Sequence, residues 1–293
     1  MKLNIYLIIF LSSIWMTSCN DVIQLELDDP EPVLVVDGFV SNVDTVQYVK
    51  LSSLDNYFAS QPPNYSLYQS ASVSLRENEV TIGTYVFNTD TERFELQFKG
   101  LTGKEYQLHV SLPDGTSYLS ASEIMEETTP IDSIWYEVAE VDSPTSEEGD
   151  YTVLINTKEP VGTGDNYQWK SYINGEYNFE ATDVTAFDDR FVDGQWIIDF
   201  DVYSLNEKDY LKYKSASPSG QVLITIEQAR ISLRYFDYIT LVTQQLLQVG
   251  SPFASPPAEI RGNVYKEGEE EVLALGYFYT SALDAATVDV IEQ

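Results

Sequence analysis

Between Val33 and Ala121 the chain is a succession of short strand-like segments separated by turns, and in several of them apolar and polar residues alternate with period two. The segments are Val33–Val36, Gln47–Leu51, Ser72–Leu75, Thr84–Phe87, Phe94–Phe98, Tyr106–Ser111 and Ser117–Ser120. In the fifth, Phe94, Leu96 and Phe98 interleave with Glu95, Gln97 and Lys99, so one face of the strand is apolar and the other polar. Pro113, Asp114 and Gly115 supply a hairpin turn between the last two. Half-apolar strands at this spacing bury their apolar faces against one another, which predicts a β-sandwich.

One detail refines that expectation. Leu101 to Tyr106 leads into the strand Gln107, Leu108, His109, Val110. This resembles the tyrosine corner of immunoglobulin-like sandwiches, in which a phenol hydroxyl bonds to backbone a few residues upstream. The segment 33–125 is therefore expected to be an immunoglobulin-like β-sandwich. Glu123, Glu126, Glu127 and Pro130 mark a boundary with few large apolar residues. Residues 126–293 then return to strands, at Thr152–Asn156, Tyr167–Tyr172, Gln221–Ile226 and near Val272–Tyr279. A helix is expected near 231–249, because Tyr235, Phe236, Ile239, Val242, Leu246 and Val249 share one helical face and Gly250 and Pro252 end it. The whole is mainly β (α+β): a sandwich, then a β-rich domain carrying one long amphipathic helix.

The first residues have a different character. Lys2 precedes an apolar run of twelve residues, Ile5 to Met16, and Thr17, Ser18 and Cys19 follow. A run of about 7–15 apolar residues suits a signal-peptide core and falls short of the roughly 20 needed to span a bilayer. The order resembles a lipobox, with Met16 where Leu is usual. Cys19 is the chain's one cysteine, so an internal disulfide is impossible, and lipidation accounts for the thiol. Residues 1–18 read as a lipoprotein signal peptide and 19–32, with Pro30 and Pro32, as an acidic tether. This places the chain on a bacterial membrane through a lipid on Cys19, with its facing open.

Charge narrows the partners. Forty-seven acids against 16 bases give a formal net charge of −31. Nucleic acid binding needs basic patches that release counterions, so it is excluded as a role. The 21 tyrosines suit sheet surfaces, where the ring packs and the hydroxyl stays wet.

Catalytic signals are sparse. His109 is the one histidine and lies on a strand pattern, without a Gly-x-Ser-x-Gly elbow. A zinc cluster of histidines and cysteines has no ligands to draw on. Asp188, Asp189 and Asp193, before Gly194, are candidate calcium ligands, but Phe191 and Phe200 occupy the third and twelfth loop positions that an EF-hand fills with oxygen donors. The ordinary reading of that stretch is an Asp-Gly turn. No cofactor is expected besides the lipid.

The most specific stretch is Ser251 to Val264, followed by Leu275, Gly276, Tyr277 and Phe278. With Cys19 to Ile23, Pro32 to Gly38, Pro130 to Ile134 and Asp188 to Gly194, it resembles the Bacteroidota envelope family labelled domain of unknown function 4249. The resemblance implies an outer-membrane lipoprotein, often encoded beside a TonB-dependent receptor, and carries no established activity. Phe253, Pro256 and Pro257, on a proline-stiffened connection, are candidate partner-binding residues or else a structural strap. Three roles remain: a non-catalytic binding or accessory subunit for such a receptor in nutrient uptake, a surface adhesion or structural module, and a carboxylate-based hydrolase. Changing Cys19 to Ala is expected to abolish palmitate labelling and move the protein out of the membrane fraction, since several acyl chains hold stably where one holds marginally; unchanged labelling would refute the lipobox.

Overall fold

The structure is a computed structural model that describes residues 33–54, 68–139, 150–178, 185–248 and 260–291. Cys19, Phe253, Pro256 and Pro257 lie outside the described residues. The first stretch supplies β1 (Val33–Ser41), β2 (Thr45–Leu54), β3 (Ser72–Glu77), β4 (Val80–Asn88), β5 (Arg93–Phe98), β6 (Glu105–Ser111), β7 (Ser117–Ser120) and the short β8 (Glu123–Ile124). Then come β9 (Ile131–Val138), β10 (Tyr151–Lys158), β11 (Asn166–Ile173), β12 (Glu176–Tyr177), β13 (Thr185–Asp188) and β14 (Trp196–Leu205). Helix α1 (Glu207–Ala216), β15 (Val222–Arg230) and helix α2 (Leu233–Gln248) follow. The chain closes with β16 (Val264–Lys266), β17 (Glu269–Leu273), β18 (Leu275–Ser281) and β19 (Leu283–Val290). The protein is mainly β.

The first sheet runs in the order β17-β16-β7-β6-β3-β4-β5-β2-β1-β18, with β8 on β6. Strand β4 turns the corner: Val80 to Tyr85 pair with β3, and Val86 to Asn88 pair with β5. The sheet thereby folds over itself into two layers. Their inner faces meet in a core of Leu34, Val36, Val49, Leu51 and Phe94 from one layer and Val73, Leu75, Leu108 and Val110 from the other. Each such side chain contributes about 1.5–3 kcal/mol on burial. Tyr106 is 0 % exposed, and its hydroxyl accepts a hydrogen bond from the Leu101 backbone N–H at 2.9 Å. The corner seen in the sequence is thus closed by the expected bond.

This core is completed from the far end of the chain. Val264 and Phe278 are buried in it. Strand β16 covers the edge at β7, and β18 lies parallel to β1, with Val36 opposite Gly276. Gly276 adopts φ +81°, and a Cβ there would stand 1.9 Å from the Val36 carbonyl oxygen, so only glycine fits. The Asn263 amide bonds both ways to the Phe278 backbone, donating to its carbonyl at 2.7 Å and accepting from its N–H at 2.9 Å. The described part of the family-like stretch therefore fastens the first sandwich.

The second sandwich places a sheet β14-β10-β9 over a sheet β12-β11-β15-β19, with β13 on β11. Between them lie Tyr151, Val153, Ile155, Trp169, Ile173, Ile224, Ile226 and Tyr210, the last from α1. The buried Gln228 amide accepts from Trp169 Nε1 at 2.9 Å and donates to the Thr129 carbonyl at 2.8 Å. That fixes the stretch joining the two sandwiches. Helix α1 escapes sequence reading because Tyr210 is its one buried residue, too little for a helical stripe. Helix α2 falls within the expected range, yet Tyr235 and Ile239 are buried while Leu246 and Leu247 are 42 % and 61 % exposed. Its apolar face is seated only in its first half. Among the described residues no helix is long and apolar enough to cross a membrane.

Replacing Tyr106 with Phe keeps the ring and orphans the Leu101 N–H. The expected loss is about 1–3 kcal/mol in urea unfolding; a variant as stable as the parent would remove the corner from the forces closing this sandwich.

Candidate functional site

Two outward sheet faces converge between the sandwiches. On the first sheet, alternation places Asp37 and Phe39 of β1 on the outer face, with Val36 and Val40 turned to the core. Pairing sets Phe39 beside Tyr48 of β2 and Tyr279 of β18, and Asp37 beside Lys50. On the second sheet, Gln168, Lys170 and Tyr172 share the outer face of β11, opposite to Tyr167 and Trp169. Glu227 of β15 stands directly across from Lys170, and Tyr177 of β12 across from Tyr172.

Lys170 joins the two faces. Its ammonium donates to the Tyr279 hydroxyl at 2.6 Å and lies 5.0 Å from the Phe39 ring centroid, 5.4 Å from that of Tyr279 and 5.9 Å from that of Tyr177. Cation–π attraction of this kind holds a charge that has no carboxylate in salt-bridge range among the described residues. Below it Tyr279 stacks on Tyr235 of α2, with centroids 3.8 Å apart. Ile231, Ile239 and Tyr277 pack around that pair and close the floor. Towards solvent the recess opens: the Tyr177 side of the wall is 47 % exposed, and Asp37 is exposed as well. The Asp37 carboxyl reaches water yet is pushed above its ordinary value by desolvation from surrounding protein, which Lys170 and then Lys50 oppose. Tyr172 donates to Glu227 Oε2 at 2.7 Å, and burial with that carboxylate drives its phenol well above its usual range.

The calcium candidates separate in space. Asp188 pairs with Arg190, Nη2 to Oδ2 at 2.7 Å, and that partner holds its carboxyl below the ordinary value. Asp193 accepts from the Gly162 N–H at 2.7 Å. Asp189 alone turns inward, to Glu159 and Asp165, which sequence reading had not singled out. Carboxylate oxygens of these three lie within 4.8 Å of one another, and all three residues are buried. Oxygen donors in that arrangement are of the kind calcium takes. They already have partners: Asp165 forms an ion pair with Arg230, Tyr167 donates to Glu159 at 3.2 Å, and Gly164 N–H donates to Asp189 Oδ2 at 2.9 Å. Burial pushes the Glu159 carboxyl up to about 7, against the Tyr167 hydrogen bond and with the help of its acidic neighbours. A proton held there spares the cluster one buried negative charge. His109 sits 3.4 Å from Glu267 on the outer face of β6, remote from both groups in sheet order.

The model of the family DUF4249, a domain of unknown function, matches residues 20–285. The chain belongs to this family. No curated protein matches it. The DUF4249 match takes in the first sandwich, the second as far as the start of β19, and the residues of the recess between them. Lys170, Tyr177 and Glu227 carry no local motif. Each stands on a different strand, and the only sequence trace of the recess is a lysine alternating with Gln168 and Tyr172 on a strand.

The raised Glu159 carboxyl has a sign. Between its ordinary value of 4.5 and about 7 the native state holds a proton that the unfolded chain has released. Stability therefore falls as pH rises through that window, by about 1–3 kcal/mol. Glu159→Gln should flatten the profile between pH 5 and 8 and raise the melting temperature at pH 8; an unchanged slope would show that another group titrates.

Proposed function

We propose that this protein is a non-catalytic binding subunit of the cell envelope, anchored by lipid on Cys19 and serving a TonB-dependent receptor in nutrient uptake. The observation that carries the binding role is the recess between the two sheets, where buried Tyr279, half-buried Phe39 and exposed Tyr177 converge on Lys170. Ligand sites combine aromatic walls with a few placed polar groups at a junction of structural units, and this recess has that composition. The buried carboxylates Glu159, Asp165 and Asp189 are enclosed and partnered, which favours structure over hydrolysis as their role.

The anchor rests on the residues Ile5 to Cys19, and the receptor partnership on the resemblance of the sequence to its family. The contact with the receptor is assigned to the residues Phe253, Pro256 and Pro257, because prolines restrict the backbone of a chain before it binds and so lower the entropy lost, and an aromatic ring supplies contact area. The first sandwich is read as immunoglobulin-like. In support, β7-β6-β3 and β1-β2-β5 form the two layers, β4 passes between them, and Tyr106 begins β6 with its hydroxyl tied to Leu101.

The test is co-purification. Native tagged protein drawn from solubilised outer membranes should bring down a TonB-dependent receptor, and Phe253→Ala should reduce that capture with an unchanged melting temperature. Repeated preparations without any such receptor would overturn the partnership, and a Phe253→Ala protein that melts early would make the connection a structural strap.

A further inference from the structure

We infer that the recess around Lys170 takes a neutral saccharide; this rests on the binding role proposed above and names its ligand class. Three observations converge on it.

The first is charge. Lys170 faces Glu227 across β11 and β15, and Asp37 faces Lys50 across β1 and β2, so each wall carries one charge of each sign. The recess asks for no net charge in its ligand. The chain as a whole, at −31, repels anions. A cationic ligand would find the aromatic cage already filled by the Lys170 ammonium. A neutral molecule meets neither obstacle.

The second is hydrogen bonding. Among the described residues Lys170 spends one of its three donors, on Tyr279. Asp37 and Glu227 offer carboxylate oxygens. Gln168, 5 % exposed and on the same face of β11 as Lys170, has a side-chain carbonyl oxygen with no hydrogen-bond partner among the described residues. Donors and acceptors thus stand on both walls. A sugar satisfies such a set, because every hydroxyl both donates and accepts.

The third is the ring surface. Tyr177 is 47 % exposed and packs against Tyr172, with centroids 5.3 Å apart. An exposed phenol offers an apolar face with a polar rim, which matches the C–H face and hydroxyl rim of a pyranose.

The experiment is calorimetric titration of the full-length protein in detergent with cellohexaose, xylohexaose and mannohexaose, and with trigalacturonate and a tryptic digest of casein for comparison. At least one neutral hexasaccharide should bind with a Kd below about 1 mM. Tyr177→Ala should weaken it about tenfold without lowering the melting temperature, and Tyr177→Phe should retain it. No heat with any neutral saccharide, equal binding by Tyr177→Ala, or binding of trigalacturonate or peptides in their place would overturn the inference. Receptor co-purification is read separately, so loss of saccharide binding leaves that partnership standing. Release of reducing ends that is lost in Tyr177→Ala would support the saccharide and overturn the non-catalytic role.

Discussion

The parallel pairing of β1 with β18 is the contact on which the rest depends. It brings the end of the chain to the edge of the sheet that the beginning built, with Val35 to Ser41 in register with Leu275 to Ser281. The backbones meet at Gly276, whose missing side chain lets the Val36 carbonyl approach. Gly262 serves the same crossing: a Cβ on it would stand 2.0 Å from the Gly276 carbonyl oxygen. Two glycines and the two-way bond of Asn263 thus hold a long-range junction that loop closure alone would oppose. Since β18 runs on through a short turn into β19, the strand that closes the first sandwich also delivers the edge of the second.

That shared strand explains where the recess lies. Tyr277 and Tyr279 project from β18 away from the first core, and Tyr235 of α2 packs on both. The outer faces of the two sheets are therefore joined at one end by aromatic packing and separate at the other. Charge is handled in two ways across this joint. Near solvent, Lys170 is held by rings and one hydrogen bond. In the interior, Glu123 accepts from Tyr277 at 3.0 Å and Asn263 at 3.3 Å, and Asp165 is paired with Arg230. A buried carboxylate left unpartnered costs several kcal/mol, so each of these groups ties one segment to another rather than standing free.

Much of the architecture was legible in the chain. Short strand-like runs between turns, several with period-two alternation, marked β1 to β7, and the Tyr106 corner could be read from six consecutive residues because its bond is local. The helix near Tyr235 was visible from its apolar stripe, although the stripe suggested more burial than Leu246 and Leu247 find. Asp189 was noticed among the acids, but its partners Glu159 and Asp165 were not. They lie 30 and 24 residues away along the chain, and turns rather than spacing bring them together.

The sequence by itself determined a mainly β protein, its local turns and corner, its family, and a charge balance hostile to nucleic acid. These follow from periodicity, short-range bonding and composition, all of which act between near neighbours. Tertiary structure decided that the residues after Val264 complete the first sandwich, and that Asp37, Lys170, Tyr177, Glu227 and Tyr279 meet. They come from five different strands in two sheets, and register within each sheet together with packing between the sheets, both long-range, places them together.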